Sequence, residues 1–171
     1  MKNRKFLALF LALAMVFALA VPAFAEDAVI APAPTMAGKT VILHSNDVHG
    51  AVAGYAYMAA LKAQYEAQGA EVILVDAGDY SQGTTYVSST KGADAVAMMN
   101  AAGYDVVTLG NHEFNFGFQY VTKEISQFNG VTLGGNMYKD GKRFADAYKI
   151  FDVDGVKVAV FGLDAPHIPV W

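Results

Sequence analysis

The sequence has no cysteine, which excludes a disulfide framework and any metal site built on thiolates. Stability must then come from an apolar core or from metal held by oxygen and nitrogen. Basic residues are also few, with 12 Lys and Arg against 16 Asp and Glu and a net charge of -4. An acidic chain is poorly suited to nonspecific binding of a nucleic-acid polymer. Internal repeats and low-complexity tracts are missing, and 171 residues leave room for one domain and little more. The apolar share is 54%, and much of the excess sits in residues 1–25.

Those residues read separately. Lys2, Arg4 and Lys5 precede an apolar run from Phe6 to about Ala20, and Ala23-Phe24-Ala25 stands before Glu26. The run is shorter than the ~20 residues that span a bilayer. The pattern predicts a secretory signal over residues 1–25, with an uncleaved anchor as the alternative. Cleavage implies a secreted, periplasmic or cell-surface protein with no stable transmembrane helix. It also removes three basic residues and no acidic one, so the mature chain is more acidic still. Residues 26–38 carry two prolines and many small side chains without helical or strand period, and read as a linker. The folded part is then 39–171.

From Lys39 onward β-rich runs alternate with helical ones. Thr40–His44, Val72–Val75 and Val106–Leu109 read as buried strands. Tyr55–Gln68, Ala93–Ala102 and Phe118–Phe128 read as helices, each followed closely by a glycine. Apolar strands separated by helices predict an α/β fold with a sheet covered on both faces. Asp154-Gly155 between Tyr148–Val153 and Val156–Leu163 predicts a β-hairpin whose second strand is buried.

Each of the first three strands ends in a polar cluster: Ser45-Asn46-Asp47-Val48-His49-Gly50, Asp76-Ala77-Gly78-Asp79 and Gly110-Asn111-His112-Glu113. Parallel strands would bring all three to the carboxyl edge of one sheet, where α/β folds bind ligands. Asp47 and His49, two apart, would project to one side of an extended segment and suit zinc, manganese or iron. Read singly, each motif has a plainer alternative: Asp47 as a cap, His49 as a loop histidine, Asp79 as a turn former beside Gly78. Asn111 offers a neutral oxygen ligand, and His112 an imidazole that titrates near neutrality.

In this order the three motifs resemble the calcineurin-like metallophosphoesterases. The longer strings Asn46-Asp47-Val48-His49-Gly50 and Leu109-Gly110-Asn111-His112-Glu113-Phe114 resemble the 5′-nucleotidase and cyclic-nucleotide phosphodiesterase branch. The likeness runs from Thr40 to Asp164. It implies the N-terminal portion of a β-sandwich flanked by helices, an incomplete four-layer αββα arrangement. It also implies a hydrolase of nucleotides or other small phosphoesters that uses two divalent ions, among Zn, Mn, Mg, Ca and Fe. By the same resemblance Asp47 and His49 hold one metal, Asp79 bridges both, Asn111 holds the second, and His112 faces the phosphate.

The chain departs from that family at two places. Many members carry Asp where this chain has Asn115, the residue that orients the catalytic histidine; an amide can accept from imidazole but cannot stabilise imidazolium as a carboxylate does. The family also draws further metal-binding histidines from motifs beyond the position of Trp171. The expectation is therefore a fragment, inactive by itself, with a non-catalytic surface or binding protein of the same fold as the alternative. His44 reads as a packing or hydrogen-bonding residue, and His167 matches no motif of the family. Glu113 and Phe114 read as structural, and Gly78, Gly83 and Gly110 as residues that allow close backbone approach. N-terminal sequencing of the secreted protein should start at or near Glu26; a product that keeps Met1 and stays in the membrane would contradict a cleaved signal.

Overall fold

The computed structural model describes residues 35–166. The apolar leader, most of the linker and His167 lie outside the described residues. Four strands, Thr40–Ser45 (β1), Glu71–Asp76 (β2), Val106–Thr108 (β3) and Val131–Leu133 (β4), lie side by side in the order β1-β2-β3-β4. All neighbouring pairs are parallel. Helices Ala53–Ala67 (α1), Thr85–Ser89 (α2), Ala93–Ala102 (α3) and Phe118–Gln127 (α4) provide the crossovers. The chain steps the same way along the sheet each time, so right-handed crossovers stack their helices on one face.

That face forms the core. Leu74 and Val107 from the strands pack with Val87, Ala95, Met99 and Val121 from the helices, all fully or almost fully buried. Burial of each such side chain is worth about 1.5–3 kcal/mol. Gly103, with φ 76°, ends α3 in the left-handed conformation that suits glycine. The three longer helices and first three strands match their sequence-based bounds to within two residues. The pattern does not predict α2, the three-residue β4, or the small hairpin Tyr138–Lys139 (β5) with Lys142–Arg143 (β6).

Expected coverage of both sheet faces is only partly met. Ile73 and Val106, on the face away from the core cluster, are buried, whereas Ile42 on the outer strand β1 is 55% exposed. The hairpin of Tyr148–Val153 (β7) and Val156–Phe161 (β8) forms as predicted, turning on Asp154 and Gly155 with φ 50° and 82°. Its second strand is not buried: Val156 is 63% and Phe161 69% exposed, because no other described element covers them. Among the described residues no helix is long and apolar enough to cross a membrane.

Glu124 of α4 is an acid inside the core. It is 2% exposed, neither carboxyl oxygen has a hydrogen-bond partner, and burial, with the nearby Glu113 carboxylate, pushes its pKa up to about 9. The Tyr80 hydroxyl opposes that rise. The folded state therefore binds a proton that the unfolded state has released, and stability falls as pH climbs from the usual glutamate range toward 9. Glu124→Gln removes that slope. Thermal unfolding at pH 8 should place the variant above the wild type by an amount equivalent to a few kcal/mol, on the scale of ~1.4 kcal/mol per pKa unit. At pH 5 the two should nearly coincide, and a gap independent of pH would contradict this reading.

Candidate metal centre

Because β1, β2 and β3 run parallel, the loops that follow them emerge at one edge. Backbone bonds join the first two loops: Ala77 N–H donates to Ser45 O (2.9 Å), Asp47 N–H to Gly78 O (3.0 Å) and His49 N–H to Asp79 O (3.0 Å). Gly83 follows in the same loop, and a Cβ there would lie 2.1 Å from His49 O, so only glycine permits the approach.

The second and third loops are tied through one side chain. Glu113, fully buried, accepts hydrogen bonds from the N–H groups of Asp79 (2.9 Å), Tyr80 (2.8 Å), Ser81 (3.0 Å) and Gly110 (2.6 Å) and from Ser81 Oγ (3.0 Å). A Cβ on Gly78 would stand 2.4 Å from Gly110 N, so the two loops touch backbone to backbone. Asp76 adds a second clamp: it accepts from Ser45 Oγ and from Gly78 N–H (2.8 Å), and Ser45 Oγ meets the Tyr104 hydroxyl at 2.7 Å. Burial pushes the Asp76 carboxyl up to about 7, with its hydrogen bonds to Ser45 and Gly78 pulling the other way.

Asp47 and His49 converge, although not through an extended segment. Both sit in the left-handed region, with φ 60° and 47°, as does Asp79 with φ 62°. His49 Nε2 lies 2.9 Å from Asp47 Oδ1, and Nδ1 lies 3.0 Å from the Gln82 carbonyl. A carbonyl oxygen can only accept, so Nδ1 carries a proton and a neutral ring turns the Nε2 lone pair toward a carboxylate. Lone pair and anion at that spacing call for a cation. Two donors on one zinc, each about 2.0–2.2 Å from it, stand about 3 Å apart, so the pair suits a divalent metal held with an oriented second-shell carbonyl.

Asp79 and His112 join the same point: ligand atoms of His49, Asp79 and His112 all lie within 4.8 Å of one another. The His49 and His112 rings meet edge to face with centroids 4.8 Å apart. Asp79 Oδ1 accepts from His112 N–H (2.9 Å), which leaves Oδ2 for a cation. Asn111 opens the 3-10 turn His112–Phe114 and is half-buried beside these groups in the chain. Asn115 Nδ2 lies 2.8 Å from His112 Nδ1. In that orientation the amide donates, and a neutral His112 carries its proton on Nε2. His44 is exposed on β1 rather than packed, and stands apart from the cluster.

The motif pattern does not assign Gln82, Asp76, Ser45 or Tyr104. Asp76 alone had a signal, as the first member of Asp-x-Gly-Asp at a strand end. Gln82 acts through its backbone carbonyl, which no residue pattern reveals.

Fold and donors define an α/β protein with a metal centre of oxygen and nitrogen ligands at the carboxyl edge of a parallel sheet. The family model for the calcineurin-like phosphoesterases matches residues 40–167, and the chain belongs to that family. A 5′-nucleotidase of Vibrio cholerae is 37% identical over 138 residues, which are 73% of this chain and 25% of that protein. A snake venom 5′-nucleotidase of Gloydius brevicauda is 33% identical, over 77% of this chain and 26% of its own length. The chain thus spans about a quarter of the curated relatives it matches. Among solved structures, an NAD nucleotidase of Haemophilus influenzae superposes with a TM-score of 0.65 at 29% identity, covering 75% of this chain and 27% of that one. A putative 5′-nucleotidase of Staphylococcus aureus gives 0.67 at 25% identity, over 77% and 30%.

Glu113 provides the direct test of how these loops are held. Glu113→Gln replaces one acceptor oxygen by a donor that faces backbone N–H groups, so hydrogen bonds are lost and donors oppose each other. Urea unfolding should show a loss of about 3 kcal/mol; a variant as stable as the wild type would remove the clamp.

Proposed function

We propose that the protein is a metal-dependent phosphoester hydrolase acting on nucleotides outside the cytoplasm. One observation supports it most: Asp47, His49, Asp79 and His112, from three loops, meet at one sheet edge with ligand atoms at bonding separations. Asp47 and His49 would hold one divalent ion, Asp79 would serve both ions of a pair, and Asn111 would supply the second. Bound there, such ions supply Lewis acidity toward phosphoryl oxygens and activate water.

The chain's own groups do the rest. His112 presents Nε2 toward the phosphoryl group and either donates to an oxygen or moves a proton to the leaving group. Asn115 orients the ring through Nδ1, without the negative charge that would favour imidazolium. Gln82 fixes His49 so that its lone pair is available to the metal. The nucleotide substrate follows the names of the relatives, and the extracytoplasmic setting follows the leader pattern of residues 1–25.

The test uses the intact protein with added Mn²⁺ or Zn²⁺ and measures phosphate released from nucleoside monophosphates. Asp79→Ala should lower kcat by about 100-fold or more, because it removes a ligand common to both ions. Asn115→Asp should change kcat by no more than about tenfold, since it tunes an imidazole that stays in place. Near-normal turnover in Asp79→Ala would make the metal assignment wrong.

A further inference from the structure

A cavity of about 340 Å³ lies beside the metal centre and has no part in the chemistry described above. Phe114, which closes the turn begun by His112, and Phe118, which opens α4, line one part of it; Tyr138 and Phe144, from the connection between β4 and β7, line another. The Phe118 and Phe144 rings meet edge to face with centroids 5.0 Å apart. Asp164, just past the end of β8, adds the one acidic side chain in the lining.

Asp164 is held in place with care. Asn136, beyond β4, donates from Nδ2 to the Asp164 carbonyl (2.7 Å) and accepts the Asp164 N–H at Oδ1 (2.9 Å). Oδ1 of Asp164 accepts from Ala165 N–H (2.7 Å), while Oδ2 is buried and has no partner. The residue is 8% exposed, and a buried polar atom without a partner destabilises the fold unless something else satisfies it. Burial pushes the carboxyl up to about 7, the Ala165 N–H opposing the rise, so near neutrality Oδ2 carries a proton in part of the population.

We propose that this cavity receives the nucleobase of the substrate, with Asp164 as its polar anchor and the aromatic rings as its walls. The inference rests on the phosphoester-hydrolase reading, since the cavity begins two residues beyond His112, next to where that residue would face the phosphate. Its volume suits a base more than a whole nucleotide, being near the lower end of the range for small-molecule sites. Flat rings favour offset or edge-on aromatic contact, which the phenylalanine walls offer. The chemistry of the acid selects a base edge with an N–H donor beside a ring acceptor, as adenine has. Oδ2–H donates to the ring nitrogen, and Oδ1, with a lone pair to spare, accepts the amino N–H.

The test is calorimetric titration of the intact protein with adenosine and with purine riboside, which lacks the amino group. Wild type should bind adenosine roughly tenfold more tightly than purine riboside, because the site's acceptor is left unpaired by the latter. Asp164→Leu should erase that difference, and Asp164→Asn, which keeps a carbonyl and an N–H, should retain it. Equal affinity for both nucleosides in wild type, undetectable binding of adenosine at millimolar concentration, or an unchanged preference in Asp164→Leu would overturn the assignment. Phosphate release from AMP is scored separately: its absence with every divalent ion removes the hydrolase reading, while the titrations still decide whether the cavity is a base site.

Discussion

The carboxylate of Glu113 is the interaction on which the site depends. It is fully buried and accepts five hydrogen bonds, four of them from backbone N–H groups on two different loops. Hydrogen bonds to an ionised acceptor are about twice as strong as neutral ones. A buried carboxylate is costly unless its oxygens are satisfied, so the arrangement favours a single geometry. That geometry presses Gly78 against Gly110 and leaves no space for a side chain at either.

The consequences run outward from this clamp. Asp79 is held by its own N–H to Glu113 and in turn accepts the His112 N–H, so ligand and catalytic candidate share one support. The first loop is fastened to the second by backbone bonds, which carries Asp47 and His49 to the same place. Asp47, His49 and Asp79 all adopt positive φ, a conformation costing of order 1–3 kcal/mol for residues other than glycine and found where function requires it. Around Glu113 lie Asp76 and Glu124, each pushed toward the neutral form by burial, so the interior carries less negative charge than its count of acids suggests.

Much of the fold is legible in the chain because its elements are long or strongly periodic. Thr40–Ser45 and Glu71–Asp76 are apolar runs, and Ala53–Ala67 and Ala93–Ala102 are bounded by glycine signals. Val131–Leu133 is three residues long and Thr85–Ser89 five, too short for a period to show. Convergence at a sheet edge follows from parallel order, which is why Asp47, His49, Asp79 and His112 can be grouped from sequence. The way Asp47 and His49 meet is not legible, since left-handed backbone at two non-glycine residues opposes local preference and is imposed by the neighbouring loop. Glu113 reads as structural from its motif, but its partners are backbone groups of Asp79, Tyr80 and Gly110, and backbone groups have no letter in a sequence. Exposure of β8 is likewise hidden, because alternating apolar residues report a face that can be covered and say nothing of what covers it.

The central claim is that these loops form a divalent-metal site, and anomalous diffraction from crystals of the protein soaked with Zn²⁺ tests it most directly. The account predicts a zinc peak about 2.0–2.2 Å from His49 Nε2 and from carboxylate oxygens of Asp47 and Asp79. No peak within reach of Asp79 at saturating zinc, or a zinc bound only to surface groups elsewhere, would contradict it.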